Sequence, residues 1–417
     1  MTTERLTRRF ILLRALRWLP LGLVLPFLVI TPEARGLSLG AIGAVFAVHS
    51  AVAIALEVPS GALADVVGRR RVLLAGASLT TLSLLIFAVA GSIVAFMASV
   101  GLLAAGRALI SGSLEAWYVD SLRSLDPAAP LSRGLSRGTA AEGIAMALGA
   151  LVGGGLVTLA GPGDADGALS GYGVAALAGA LAAVVYLVAV AVLVQERGDH
   201  AHVAGARASV ARRAALTFAT ARDEFLGSAV VRLVVVTGVA LGMSFTAVEL
   251  LWQPRLADLL DEPGSHGVVF GALAAGSMLA VALGAGLSER VNRRLGLRLG
   301  YLIALGFGAV CVALLGAPVT PVAFALVYLL AYFGMGVADP MHFELLNDAV
   351  GSTARATLIS AEALAAQGGA LVANLGVGAL AASHGPGLAW ALAGSLLTLT
   401  TLAVAVPLYR TARTVRA

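Results

Sequence analysis

The chain has 417 residues, of which 59% are hydrophobic and only 12% are charged, and its mean hydropathy is +0.93. Soluble domains have about 25% charged residues, so too few polar side chains are available here to cover a soluble core. The composition therefore excludes a soluble domain and predicts an integral membrane protein. Because the apolar runs are continuous rather than alternating, we expect spanning helices and not the strands of a membrane β-barrel.

All 28 basic residues are arginine, and the chain contains no lysine. This excludes the lysine of a nucleotide-binding Walker loop and the lysine that forms a Schiff base with retinal or pyridoxal phosphate. The single cysteine, Cys311, has no partner for a disulfide. No nucleophile–base arrangement or cluster of metal ligands is recognisable, so the sequence predicts neither an enzyme nor a cofactor or metal site.

Twelve apolar runs follow one another along the chain, and a membrane span needs about 20 such residues. The first run follows a basic N-terminus and is too long for a signal peptide, so we expect an uncleaved first helix. Residues 196–228 form the only long polar connection, and apolar residues at helical spacing within it predict an amphipathic helix on the membrane surface, with a disordered linker as the alternative. The sequence thus predicts an all-α membrane protein with six helices in residues 1–195 and six in residues 229–417. The runs cover residues 12–31, 38–64, 72–90, 93–121, 134–160, 172–195, 229–257, 267–288, 297–316, 320–348, 356–382 and 387–408.

The arginines predict the orientation of these spans. With the N-terminus in the cytoplasm, every arginine except Arg35, Arg107 and Arg255 falls in a cytoplasmic segment. Short basic loops stay on the cytoplasmic side, so we expect both termini in the cytoplasm and a multi-pass protein of a bacterial-type inner membrane. The basic loops then reflect orientation and not nucleic-acid binding. The expected partners are the lipid bilayer, protons and a small-molecule substrate, and we expect a monomer.

The two halves of the chain carry similar charges in the same order. Two six-helix bundles related by such a repeat are typical of a transporter that rocks about a site between its halves. The matched pairs at the inner ends of helices 2 and 8 are Asp65 with Glu289, Arg69 with Arg293 and Arg70 with Arg294.

The segment 61–74, GALADVVGRRRVLL, lies between helices 2 and 3 and has glycine, acid and arginine residues at characteristic spacings. It resembles the signature loop of the major facilitator superfamily, and with the twelve helices and the half repeat the resemblance covers essentially the whole chain. It implies two six-helix bundles related by pseudo-two-fold symmetry, with an acid and arginines that latch an inner gate. A static surface salt bridge is the alternative. The residues that this resemblance and the half repeat assign to the inner gate are Gly61, Asp65, Gly68, Arg69, Arg70, Asp120, Glu289, Arg293 and Arg294.

Arg107 lies within the fourth apolar run, and an arginine at that depth normally faces a partner or a water-filled cavity. It resembles the buried helix-4 arginine that the family often uses in proton coupling, and an arginine bonded to backbone carbonyls is the alternative. Buried carboxylates can take up and release protons near neutral pH. Together with Arg107, the candidates for proton coupling are Glu142, Glu249 and Asp339.

Helix 5 contains Gly149 and the run Gly153 to Gly155, which resemble a glycine motif of exporters in this superfamily, although the usual Gly-Pro pair is missing. Close packing of helices through small residues is the alternative. Aromatic side chains with a few polar groups suit flat, apolar or cationic ligands. The candidates for the substrate cavity are His49, Phe245, Tyr332, His342 and Gln367.

These features predict a transporter that resembles the drug:proton antiporters. It would export small amphipathic compounds, of the multidrug or tetracycline-efflux type, by alternating access and at the expense of a proton gradient. An uptake permease for a specific polar metabolite on the same fold is the alternative. A sensor or scaffold that does not transport is a third possibility, which the short tails disfavour.

Overall fold

The computed structural model describes residues 2–161, 171–196, 227, 229–260, 266–349 and 355–414, and all regular structure in these ranges is helical. The helices are α1 (Thr3–Val24), α2 (Ile30–Ala34), α3 (Leu39–Val67), α4 (Arg69–Val89), α5 (Ile93–Ile110), α6 (Ser113–Leu125), α7 (Leu131–Ala160), α8 (Gly171–Leu193), α9 (Ala229–Leu259), α10 (His266–Leu295), α11 (Leu297–Leu314), α12 (Pro321–Ala349), α13 (Arg355–His384) and α14 (Pro386–Thr414).

Twelve segments within the described residues are long and apolar enough to cross a membrane, which confirms the predicted number of spans. They are the twelve apolar runs of the sequence, and the predicted all-helical membrane fold is therefore confirmed. The amphipathic helix predicted within 196–228 lies outside the described residues, apart from residues 196 and 227.

The fourth span differs from the continuous helix predicted over 93–121, because it is broken at Ser111 and Gly112 into α5 and α6. Gly112 has a φ of 74°, a left-handed conformation that glycine adopts readily. The break creates two helix ends inside one span. Arg107 lies in the last turn of α5 and Glu115 in the first turn of α6, where the helix dipoles favour a cation and an anion respectively.

The chain divides into two compact units. Unit 1 is Met1–Leu37, Val48–Leu216 and Glu262–Ala275, and unit 2 is Ser38–Ala47, Thr217–Asp261 and Gly276–Ala417. The start of α3 thus groups with unit 2 and the start of α10 with unit 1. The division at residues 195 and 229 that the sequence suggests stays a prediction.

Each unit has an apolar core built from several spans. In unit 1, Phe10 of α1 stacks on Tyr118 of α6 with ring centroids 4.1 Å apart, among buried leucines of α1, α4 and α6. In unit 2, Tyr301 of α11 and Met341 of α12 belong to a second buried cluster. Since lipid is as apolar as these side chains, close packing contributes more to helix association here than burial from water does.

Glycines bring α7 close to α1 in unit 1. A Cβ at Gly149 would lie 2.9 Å from the carbonyl oxygen of Leu19, and one at Gly153 would collide with that of Leu23. On another side of α7, a Cβ at Gly154 would lie 2.5 Å from the carbonyl oxygen of Gly267, whereas Gly155 has open space. The glycine run in α7 thus permits close helix packing, one of the two interpretations that the sequence left open.

Replacing Gly153 by alanine is expected to lower the stability of the protein. The added methyl group must displace the backbone of α1, and overpacking of this kind costs about 1–3 kcal/mol. Gly155→Ala is the matched control, because it adds the same methyl group two residues away in open space. Unfolding in detergent micelles should show a lower midpoint for Gly153→Ala only, and equal midpoints for the two variants would contradict the packing described.

Two of the three arginines outside the predicted cytoplasmic segments bond to backbone carbonyls. Arg35 donates to the carbonyl oxygens of Ala88 (2.7 Å) and Ala90 (2.6 Å) at the end of α4, and burial lowers its pKa from the ordinary value. Arg255 donates to the carbonyl oxygen of Pro318 (2.9 Å), just after α11. Carbonyls at a helix C-terminus lack intrahelical partners and favour a cation. Arg35 therefore joins the end of α2 to the end of α4, and Arg255 joins α9 to the connection between α11 and α12.

Candidate functional site

The connection between α3 and α4 holds the predicted inner-gate residues of the first half. Gly68 has a φ of 99° and a ψ of 139°, a conformation open essentially to glycine alone, so the turn needs this residue. Arg69 forms an ion pair with Asp120 of α6. For Gly61 and for the side chain of Asp65, which lie within α3, no contact is described, so their part in a gate stays a prediction.

Further contacts fasten this turn to α8. Arg70 donates to the carbonyl oxygen of Ala191 (2.8 Å), and the backbone N–H of Arg69 donates to the carboxylate of Glu196. The sequence analysis did not single out Glu196. The sequence could have indicated Glu196, because it is an acid that directly follows the sixth span, at the same predicted inner end as the Arg69–Arg71 segment. The turn is thus connected to both α6 and α8.

The corresponding region of the second half is arranged differently. Arg293 pairs with Glu289 one turn earlier on α10 (3.5 Å), and both side chains are mostly exposed. The backbone break follows at Gly296 (φ 79°), so Arg293 and Arg294 end α10, whereas Arg69 and Arg70 begin α4. The matched arginines therefore follow the helix break in the first half and precede it in the second. A contact between spans is made instead by Asn292, which donates to Glu344 of α12 (3.2 Å).

A cluster of charges lies within the spans of unit 1. Arg14 of α1 forms ion pairs with Glu115 (2.5 Å) and with Glu142 of α7, and Arg17 lies 3.6 Å from Glu115. The side chains are only 12–28% exposed. The predicted proton-coupling residue Glu142 is thus held by Arg14, which the sequence analysis counted with the cytoplasmic arginines. The sequence could have indicated the role of Arg14, because this arginine lies inside the first apolar run.

Arg107 lies next to this cluster but forms neither an ion pair nor a side-chain hydrogen bond with any residue that the structure describes. The described contacts therefore do not support the alternative of an arginine bonded to carbonyls. Its guanidinium lies 5.2 Å from the ring centroid of Trp18, and that of Arg17 lies 5.5 Å from the same ring. It also interacts electrostatically with Glu57, Glu142 and the predicted cavity residue His49.

These side chains border a cavity within unit 1. The Arg107 side chain is exposed to it, and the Trp18 indole N–H is buried without a hydrogen-bond partner among the described residues. The remaining wall is mostly apolar. The lining residues are Arg17, Trp18, Leu21, Thr80, Leu84, Leu103, Arg107 and Ile110.

Unit 2 brings three of the predicted residues together. Tyr332 of α12 donates a hydrogen bond to the carboxylate of Glu249 on α9, and its ring lies 6.0 Å from that of Phe245, between ring centroids. Phe245 lies one turn before Glu249 and is 42% exposed. Tyr328 packs on Tyr332 with centroids 4.8 Å apart. A carboxylate of a membrane span thus lies among aromatic rings.

A second polar group in unit 2 is centred on His342. Its Nδ1 lies 3.0 Å from the hydroxyl of Tyr301, and its Nε2 pairs with the carboxylate of Glu362. His342 is buried among these partners, and its predicted place in the substrate cavity stays a prediction. Asp339, one turn earlier on α12, is exposed and interacts electrostatically with His342 and Glu362. No contact that the structure describes joins Gln367 to either group.

Comparisons with known proteins agree with this architecture. A family model described as the Major Facilitator Superfamily matches residues 10–373. The chain is similar to the solved nucleoside transporter NupG, with a TM-score of 0.75 at 13% identity over 95% of this chain and 98% of that one. It is also similar to a POT family transporter in complex with 5-aminolevulinic acid (TM-score 0.70, 14% identity, 96% of each chain).

A D-xylose–proton symporter is a third similar structure, with a TM-score of 0.70 at 15% identity over 94% of this chain and 96% of that one. At these identities the likeness establishes the fold alone. No curated protein sequence matches the chain.

Proposed function

Because the chain belongs to the Major Facilitator Superfamily and is therefore a multi-pass membrane transporter, we propose that it exports small amphipathic compounds in exchange for protons. The observation that carries the proposal is that each unit contains a carboxylate of a membrane span in contact with a cation or a hydroxyl group. The contact stabilises the charged form of the carboxylate and can break when the helices move. Glu142 is held by Arg14 in unit 1, and Glu249 accepts a hydrogen bond from Tyr332 in unit 2.

Such a carboxylate can couple proton movement to a conformational change. Its charged form is stable while a cation or a hydroxyl group faces it, and its protonated form is favoured when that partner moves away in an apolar surrounding. A transporter that alternates between two states can therefore bind a proton in one state and release it in the other. In this proposal Arg107, Glu142, Glu249 and Asp339 take part in proton coupling.

The cavity of unit 1 supports an amphipathic substrate. Leu84, Leu103 and Ile110 offer an apolar wall, and Trp18 offers a flat aromatic surface. Polar groups occupy one part of the lining. Ligand sites are commonly apolar clefts with a few polar groups that fix the orientation of the ligand, and this cavity has that composition.

An uptake permease for a specific polar metabolite is the second candidate. The charged lining of the same cavity favours it, because a guanidinium without an ion-pair partner suits a charge-matched solute. The similarity of the chain to the solved nucleoside transporter and the D-xylose–proton symporter is consistent with uptake. The nucleoside and D-xylose are the substrates of those two proteins.

We place the protein in a bacterial-type inner membrane with both termini in the cytoplasm, and assign an inner gate to the α3–α4 turn. Asp65 and Arg69 would act there with Asp120, and Glu289 with Arg293 would act in the second half. The Arg69–Asp120 ion pair supports this assignment. Full transport activity in an Asp65→Asn variant would contradict it.

Proton movement in everted, energised membrane vesicles tests the proposal. A pH-sensitive dye should report proton release when cationic, neutral or anionic amphipathic compounds are added one at a time. Vesicles without the protein should show no release, and a Glu142→Gln, Asp339→Asn double variant should show a strongly reduced one. Silence across all compounds, with saturable entry of a polar solute into right-side-out vesicles, would favour the permease instead.

A further inference from the structure

We infer that the cavity of unit 1 binds the negatively charged group of an organic anion, through Arg107 and Arg17 beside the ring of Trp18. This rests on the proposed function, because it names the polar end of the transported amphipathic compound. A compound of this class carries a carboxylate or a phosphonate on a small apolar body.

The ion pairs around the cavity do not include Arg107 among the described residues. Arg14 forms ion pairs with both Glu115 and Glu142, and the guanidinium of Arg17 lies 3.6 Å from the carboxylate of Glu115. Arg107 has no ion-pair partner among the described residues. An arginine within a membrane span is tolerated when it faces a partner or a water-filled cavity, and here it faces the cavity.

The donors of Arg107 are available to a ligand. A guanidinium has five N–H donors in a planar fork that matches a carboxylate or phosphonate, and no described residue accepts a hydrogen bond from this one. The ring of Trp18 lies 5.2 Å from its carbon, a cation–π contact that leaves the N–H groups free. Water in the cavity can be replaced by an anion that accepts two hydrogen bonds at once.

The dimensions and walls limit the ligand to a small, partly apolar molecule. The cavity has a volume of about 30 Å³ and an open mouth, so its interior has room for the charged group of a ligand. Its apolar wall is formed by Leu21, Leu84, Leu103 and Ile110. A carboxylate or phosphonate can therefore enter the cavity and reach Arg107, while the apolar body of the ligand lies at the open mouth.

The same surroundings disfavour a cation. Arg17 and Arg107 line the cavity, and His49 also faces Arg107 electrostatically. The acids that interact with Arg107 are Glu142, which Arg14 holds, and Glu57. An ammonium group in the cavity would face two guanidinium groups, whereas a carboxylate would be attracted by both.

Binding to the purified full chain in lipid nanodiscs tests the inference. Benzoate and phenylphosphonate are the anionic probes, benzyl alcohol is the neutral one and benzylammonium the cationic one, so that charge varies while the ring is kept. Quenching of tryptophan fluorescence and calorimetry report binding. Both anions should bind saturably, and at least ten times more tightly than the alcohol or the ammonium compound.

Three variants assign that binding to the cavity. Arg107→Gln should weaken anion binding at least tenfold, and Arg107→Lys should retain part of it because the charge remains. Arg8→Gln, an exposed arginine on α1, should bind as the unchanged protein does. Circular dichroism and gel filtration check that each variant is folded.

Equal or tighter binding of benzylammonium, unchanged binding by folded Arg107→Gln, or no binding of either anion would each overturn the inference. The proposed function fails separately. If anion binding depends on Arg107 but no proton movement is seen in vesicles, the anion site is supported and proton-coupled export is contradicted. If the protein exports only cations in exchange for protons, proton-coupled export is supported and the anion site is contradicted.

Discussion

Replacing Glu249 by glutamine is expected to reduce proton-driven transport at least tenfold while substrate exchange across the membrane continues. Glutamine keeps an acceptor oxygen for the hydroxyl of Tyr332 but does not bind or release a proton. The half-buried position among Phe245, Tyr328 and Tyr332 should therefore stay packed. Vesicle assays of net accumulation and of counterflow measure the two activities separately.

Two controls separate coupling from packing in this experiment. Asp258→Asn neutralises an exposed acid on the same helix, α9, and should leave net accumulation unchanged. Tyr332→Phe keeps the ring but removes the hydrogen bond, and it should shift the pH dependence of transport without abolishing it. Net accumulation at the normal rate in Glu249→Gln would show that proton coupling depends on another carboxylate.

Replacing Arg14 by methionine should cause the largest loss of stability of any single substitution considered. Arg14 bridges α1 to both Glu115 of α6 and Glu142 of α7, and its side chain is 13% exposed. Removing one partner of a buried ion pair costs about 3–5 kcal/mol, because the remaining charge is left without compensation. The free energy of unfolding, measured by denaturation in mixed micelles, should fall by roughly that amount.

A surface pair on the same helix provides the control. Arg8 and Glu4 also form an ion pair, at 2.6 Å, but their side chains are 77% and 74% exposed. Arg8→Met should therefore cost less than about 1 kcal/mol. Adding Glu142→Gln to Arg14→Met should recover part of the loss, since the uncompensated carboxylate is then neutral. Equal effects of Arg8→Met and Arg14→Met would contradict the cluster as described.

The number and order of the spans could be predicted from the sequence, because a membrane helix requires one continuous apolar run of known length. The break in the fourth span could not. Gly112 stands in a run that stays apolar on both sides, and glycine is common inside membrane helices, so nothing local distinguishes a break from a packing contact.

The candidate site was predicted in parts. Glu249, Phe245 and Tyr332 were each chosen as lone polar or aromatic residues, but their association depends on how α9 packs against α12, which no local pattern specifies. Arg14 was missed because arginines near the N-terminus indicate orientation by their number, whatever their individual contacts. The contacts of His342 with Tyr301 and Glu362 could not be predicted, because these two residues lie on other spans.

The bonds of Arg35 and Arg255 to helix ends set an order for assembly during synthesis. Arg35 lies 52 to 55 residues before the carbonyls that it binds, and Arg255 lies 63 residues before Pro318. These hydrogen bonds cannot form until the third span of each half has emerged from the ribosome. A nascent chain cut off after the second or the eighth span therefore lacks the carbonyls that these arginines bind in the complete protein. Three spans are therefore the smallest part of each half in which the hydrogen bonds of Arg35 or Arg255 to these carbonyls can form.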